Sequence, residues 1–331
     1  MTVHDPSNTT HDPDMTHHDP GETTIVSAKT PNLGLHGARI GSRELFGDLQ
    51  YPVYLNHAAI SPPSLPVRQN VAATLDGYAQ QGLHQYTVEQ ARRDGVREDL
   101  AALLSVSADD VALVANTSTG VATIALCFPW QPGDTVVLLR GEFPTNVTPW
   151  LQAAQREGLN VHWLDAERFR LRPDDALVEL AKVLAAGAAL LAISAVQFST
   201  GHRMPLAAIG RLCQEHGTQL FVDAIQALGG IELDAAALGI DYLAAGSHKW
   251  LMAPEGTGVL YVNPERAASL RPWTAAWMSH ENAFEFLFAG PGHLQYDRPI
   301  QRTARFAEGG APNVLGIAGM QASVGILRSL G

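Results

Sequence analysis

Only three lysines stand in the 331 residues: Lys29, Lys182 and Lys249. Arginine carries nearly all the positive charge, so each lysine can be read on its own. Lys29 lies in a polar N-terminal stretch. Lys182 sits in DDALVELAKVLAAG, where Asp175, Glu179 and Lys182 share one helical face and Leu177, Leu180 and Leu184 turn to a core. It reads as a solvated helix residue. Lys249 follows the apolar run DYLAA and Gly246-Ser247-His248, and precedes Trp250, Leu251 and Met252. Desolvation disfavours a charged amine, and a neutral amine is what Schiff-base chemistry needs. On this context alone, a lysine reaching out to water from a core edge explains the pattern equally well.

Asp223 breaks the tie. It ends the run QLFVD and is followed by AIQALGG. A carboxylate at the carboxyl end of a buried strand is costly unless paired, and open α/β sheets bind ligands at those strand ends. A pyridinium nitrogen is a suitable partner, because the carboxylate keeps it protonated and the ring then serves as an electron sink. Gln226, three residues on, is placed to bond a ring hydroxyl. The competing reading of Asp223 is a helix cap. A phosphate needs donors, and VALVANTSTGVATIAL passes from a strand through a polar turn into a helix. Thr117, Ser118, Thr119 and Gly120 would offer backbone N–H groups at a helix N-terminus. Ser247 and His248 offer a second set beside the lysine. Phe143, in GEFPTNVTPW, is either a ring stacked on a cofactor face or an ordinary core aromatic. Cys127 and Cys213 fall in apolar settings and read as inert core residues.

The surrounding pattern supplies elements to position these groups. After Asp110 the apolar runs VALVA, DTVVLL, NVHWL, ALLAIS, QLFVD and DYLAA read as buried strands. Helical segments near 118–129, 145–157, 174–186 and 205–216 alternate with them, the last punctuated by Pro205 and Gly217. This alternation predicts an α/β domain with a mostly parallel sheet. Upstream, YPVYLN is strand-like, followed by the turn-rich HAAISPPSLP and a helix to about Gly82. Residues 1–40 read as a disordered polar tail. His4, His11 and His18 each precede Asp-Pro there, seven residues apart, a pattern better explained by duplication than by metal binding. No metal site is expected. With 22 basic and 33 acidic residues the net charge is -11, which argues against nucleic-acid and anionic-membrane partners. No apolar run nears the roughly 20 residues of a membrane span, and no signal peptide is evident. Two distant cysteines suit a reducing cytoplasm.

These blocks together resemble the class V aminotransferase family of fold type I pyridoxal-phosphate enzymes, which includes cysteine desulfurases, selenocysteine lyase, kynureninase, isopenicillin N epimerase and C–S lyases. LFVDAIQALGG and DYLAAGSHKWLMAPEGTGVLYV carry the likeness most specifically, supported by YLNHAAISPPS, the NTST turn, EFPTNVTPW and RFAEGGAPN. The resemblance covers roughly Tyr51 to the end. It implies pyridoxal 5'-phosphate bound at Lys249, with Asp223 at the ring nitrogen, Gln226 at the ring oxygen, and Thr117, Ser118 and His248 at the phosphate. Phe143 would stack on the ring, and Asn56, His57 and Gln197 would line the substrate pocket. It implies a fold type I large domain over 41–290, a homodimer, and a C-terminal small domain of which 291–331 is only the start. Desulfurases usually stack a histidine where Phe143 stands, and carry an asparagine near the strand end where Ser194-Ala195 stands. Both departures point to the epimerase, kynureninase and C–S lyase side. The expectation is an enzyme acting on an amino acid by α-proton removal, leading to epimerisation, C–S cleavage or transamination. The alternatives are a cysteine desulfurase or selenocysteine lyase, and a non-catalytic truncated homologue.

Overall fold

A computed structural model describes residues 39–41 and 43–330. The histidine repeat and Lys29 lie outside them. Two helices come first, α1 (Leu65–Gln81) and α2 (Gln85–Leu104). Then follow β1 (Val111–Val114), α3 (Thr117–Cys127), β2 (Thr135–Arg140), α4 (Thr148–Glu157), β3 (Asn160–Asp165), α5 (Ala166–Leu171), α6 (Pro173–Ala185), β4 (Leu190–Ser194), α7 (Leu206–His216), β5 (Gln219–Asp223), β6 (Tyr242–Gly246) and β7 (Gly258–Val262). α8 (Pro264–Ala267), α9 (Glu285–Ala289) and α10 (Val314–Leu330) complete the order.

The seven strands form one sheet in the order β1-β7-β6-β5-β4-β2-β3. Only β7 runs against the rest, pairing antiparallel with both β1 and β6. The mostly parallel α/β sheet expected from the alternating pattern is therefore present. Period-two alternation sends Val136 and Leu138 to one face of the sheet and Val137 and Leu139 to the other, and each face packs into its own apolar cluster. Fully buried strands such as LLAIS and GVLYV read as continuous apolar runs for this reason.

Two strand expectations fail on burial. NVHWL forms β3, but at the sheet edge, with alternate residues exposed. YPVYLN is not a strand, and Tyr51, Val53 and Leu55 are exposed. Those side chains mimic a strand in the sequence but find no neighbouring strand. Pro205 precedes α7 as its N-cap, and Gly217 ends it in the left-handed conformation that glycine adopts at low cost. α10 packs against α1 and α2, and its Ile317, Met320 and Val324 join the same core as the sheet.

The parallel strands deliver their carboxyl ends to one edge. β1 leads into Thr117, β2 into Phe143, β4 ends at Ser194, β5 at Asp223, and β6 at Gly246 just before Lys249. Register ties two of these ends directly, since Ser194 pairs with Asp223 and Asp223 with Ala244.

Candidate active site

Asp223 is 2% exposed, and no ion pair within salt-bridge distance reaches it among the described residues. Its Oδ1 accepts the Ile225 N–H at 3.0 Å, so it caps the following turn as well as ending the strand. Burial pushes its carboxyl up to about 7; the Ile225 bond and Lys249 oppose the rise, and the charge of Glu142 adds to it. A buried acid without a bound cation is an unmet electrostatic need.

Lys249 is half-buried, and desolvation lowers its amine below the ordinary lysine value, with Asp223 pulling the other way. Its Nζ lies 5.9 Å from the centroid of the Phe143 ring. Phe143 is 46% exposed, so much of its surface stays open. The core reading of Phe143 therefore fails. The loop that carries Lys249 is held tightly. The Lys249 carbonyl accepts from Met252 N at 3.0 Å and from Ser61 Oγ at 2.5 Å, and Ser61 N donates to the His248 carbonyl. Met252 adopts a left-handed φ of 53°, a conformation that costs a non-glycine residue about 1–2 kcal/mol.

Thr117, Ser118 and Thr119 occupy the first turn of α3, where N–H groups lack intrahelical acceptors. Asn116 caps the Thr119 N–H. Gly120 is required by packing, since a Cβ there would sit 2.7 Å from Ala244 Cβ; α3 thus seats its N-terminus hard on β6. The Gly246 N–H donates to Thr117 Oγ1 at 2.8 Å. A Cβ on Gly246 would lie 3.2 Å from Thr117 Oγ1 and 3.3 Å from the His248 ring, so hydroxyl and imidazole flank one small space. Ser118 Oγ is exposed and bonds Thr145 Oγ1. Burial and the Lys249 charge lower the His248 imidazole, against a weaker upward pull from Glu255.

Four expected site residues sit differently. Ser247 is fully buried, and its hydroxyl bonds Pro254 O, Thr257 O and Thr257 Oγ1. It staples the loop and has no free path to a phosphate. Gln197 is 4% exposed and donates to Glu142 Oε1 at 2.8 Å, so its amide faces inward. Asn56 is exposed, while its carbonyl accepts from Ala59 and Ile60 N–H. His57 bonds Ser61 Oγ through Nδ1 at 2.7 Å and lies tilted to Trp250, a turn residue bonded within its own segment. Gln226 links that segment to the lysine loop: its Nε2 donates to the Ala58 carbonyl and its Oε1 accepts from Trp250 Nε1, each at 2.9 Å. One Nε2 hydrogen remains for another acceptor.

The sequence reading missed Glu142 altogether. It is 8% exposed and receives Ser194 N–H, Ser194 Oγ–H and Gln197 Nε2–H. An acidic residue just before the aromatic ring at a strand end was its only signal. A cavity of about 850 Å³ lies elsewhere, lined by Arg93, Arg97, His280 and Phe284 among others. None of Lys249, Asp223, Phe143 and His248 lines it, so chemistry and not volume marks the site. Among the described residues no cluster of His, Cys, Asp or Glu could hold a metal ion, and no helix is long and apolar enough to cross a membrane.

The family model described as aminotransferase class-V matches residues 53–331. The chain belongs to the class-V aminotransferase family. That makes it an enzyme of the pyridoxal-phosphate-dependent class. A cysteine desulfurase of Klebsiella pneumoniae subsp. pneumoniae is 30% identical over 300 residues, covering 88% of this chain and 70% of its own. A probable cysteine desulfurase of Methanothermobacter thermautotrophicus is 27% identical over 287 residues, covering 84% of this chain and 67% of its own. The cystine C–S lyase C-DES, solved with its product cysteine persulfide, superposes with a TM-score of 0.79 at 22% identity over 86% of this chain and 74% of its own.

The donor set fits pyridoxal phosphate. A buried acid lacks a cation, a helix N-terminus with a hydroxyl and an imidazole suits a phosphate, a half-exposed aromatic face suits a flat ring, and a desolvated lysine stands among them.

Proposed function

We propose that this class-V aminotransferase family member acts on the Cα–H bond of an amino acid, with Lys249 both holding pyridoxal phosphate and moving the proton. The observation that carries the reading is a buried acid with no salt-bridge partner at the end of β5, next to β6, which leads into the loop of a desolvated lysine. Asp223 would meet the ring nitrogen, the free Nε2 hydrogen of Gln226 the ring oxygen, and Thr117, Ser118 and His248 the phosphate. Phe143 would cover one ring face. The bound cofactor supplies an electron sink for the pair left when the α-proton departs.

The chain's residues do the rest. Lys249 takes the proton in its neutral form, which desolvation favours. Asp223 keeps a positive charge at the ring nitrogen. Burial excludes water from that pair and strengthens it. Phe143 and the Ser61-anchored loop fix the orientation of the amine.

The favoured branches are epimerisation, C–S cleavage without a protein thiol, or transamination. The support is Phe143, which stands where desulfurases usually stack a histidine, and Ser194-Ala195, which stands where they carry an asparagine; Cys127 and Cys213 are buried and play no part in that choice. A second reading, cysteine desulfuration, is favoured by the relatives named for it. We also propose the large α/β domain over 41–290, with 291–331 as the start of a second whose α10 packs on α1 and α2.

The test is α-proton exchange in D2O followed by NMR, with protein, pyridoxal phosphate and a panel of amino acids including cysteine and cystine. Lys249-dependent exchange supports the reading; no exchange with any of them by cofactor-loaded protein would overturn it. Alanine formed together with sulfide from cysteine under a thiol reductant would move the assignment to the second reading, whereas pyruvate with sulfide belongs to the elimination branch.

A further inference from the structure

Glu142 belongs to no role in the reading above, yet it is the most heavily bonded acid at the strand ends. It follows β2 by two residues and directly precedes Phe143. One oxygen, Oε1, takes Ser194 N–H and Gln197 Nε2–H, both at 2.8 Å, and the other takes the Ser194 hydroxyl. Ser194 is the β4 residue in register with Asp223, and Ala195 N donates to the Asp223 carbonyl at 2.8 Å. Gln197 precedes Phe198, whose ring packs edge-to-face on Phe143 at 5.3 Å. A single side chain therefore ties the loop after β2, the end of β4 and both exposed aromatic rings into one unit. The three bonds are far from what a surface glutamate needs, and the residue is nearly buried.

We propose that Glu142 is a positioning residue. It holds Phe143, and through Gln197 the Phe198 ring packed on Phe143, beside Lys249, and it sets an acidic group next to the buried end of β5. The ring placement rests on the pyridoxal-phosphate reading, while the charge on Asp223 is a property of the protein itself. The charged groups acting on Asp223 are Glu142 and Lys249.

Two variants separate geometry from charge. Glu142→Gln keeps the shape: its Oε1 can still accept both N–H groups, and its Nε2 can donate to the Ser194 hydroxyl, which rotates. Glu142→Ala removes both shape and charge. The first readout uses protein without cofactor: selective [4-13C]aspartate labelling, with Asp223 assigned by Asp223→Asn, and NMR titration of its carboxyl. Removing a nearby negative charge should lower the Asp223 midpoint by about half a pH unit or more in both variants. The second readout is the pyridoxal-phosphate dissociation constant from visible absorbance, expected to rise about tenfold in Glu142→Ala and less than threefold in Glu142→Gln. An unmoved Asp223 midpoint in Glu142→Gln would overturn the proposal, as would equal loss of affinity in the two variants. Failure of the wild-type protein to take up cofactor would instead strike at the functional reading, leaving the carboxyl titration to decide on Glu142.

Discussion

Lys249 places its amine nitrogen 5.9 Å from the centre of the Phe143 ring, although 106 positions separate them in the chain. The ring lies beyond the end of β2 and the amine beyond the end of β6. Truncating Phe143 to Ala should weaken pyridoxal-phosphate binding about three- to tenfold, the usual worth of an aromatic contact. Equilibrium dialysis measures it, and Phe143→Trp should retain most of the affinity.

Asp223→Asn should divide stability from function. An acid whose folded value is raised holds its proton longer in the native state than in the unfolded chain. Its presence therefore costs nothing below about pH 4 and costs progressively more as the pH rises to about 7. The full penalty is on the order of 4 kcal/mol. In cofactor-free protein the Asn variant should melt several degrees higher than wild type at pH 8 and at the same temperature near pH 4. Its α-proton exchange should meanwhile fall by about 100-fold or more. Melting curves at the two pH values, with exchange rates, check both halves.

Glu308 tests the frame that supports the site. Buried within RFAEGGAPN, it bonds Arg93 at 2.7 Å, Arg97 at 2.9 and 3.0 Å, and the Leu113 N–H at 2.8 Å. Burial pushes its carboxyl up, but Arg97 and Arg93 with the Leu113 bond outweigh it and hold the group below the ordinary value. This stabilisation is present above the unfolded value and is lost as the pH falls through the folded one. Glu308→Ala leaves two buried guanidinium groups short of a partner and should cost about 3–5 kcal/mol. Urea unfolding at pH 7 reads the loss, which should shrink in acid.

Ser118 and Ser247 stood together as phosphate candidates, and the fold separates them. Ser247→Ala should lower stability by about 1–3 kcal/mol, through loss of a buried loop staple, with little change in cofactor affinity. Ser118→Ala should weaken the affinity a few-fold and leave stability unchanged. Paired urea curves and dialysis distinguish the two.

That contrast shows what the sequence could convey. The parallel strands, the helices between them and the placing of Asp223 and the Lys249 loop after neighbouring strands follow from apolar runs and punctuation, because a residue at a strand's carboxyl end has one place to go. Side-chain direction after a strand is a different matter. Ser247 and His248 are neighbours, yet one turns into the loop and the other stands beside Thr117, a choice made by Thr257 and Pro254 further along. Gln197 looked like a substrate contact because nothing near it in sequence announces Glu142 as its partner. YPVYLN carries strand-forming residues, but it pairs with no strand and leaves Tyr51, Val53 and Leu55 exposed. Partners far apart in the chain decided each of these cases.

The measurement closest to the central claim is reductive trapping. Protein loaded with pyridoxal phosphate is reduced with borohydride, digested and mapped by mass spectrometry across its three lysines. The account expects one cofactor adduct, on the peptide containing Lys249, and none in Lys249→Ala. An adduct confined to Lys29 or Lys182, or no adduct on protein that has bound the cofactor, would contradict it.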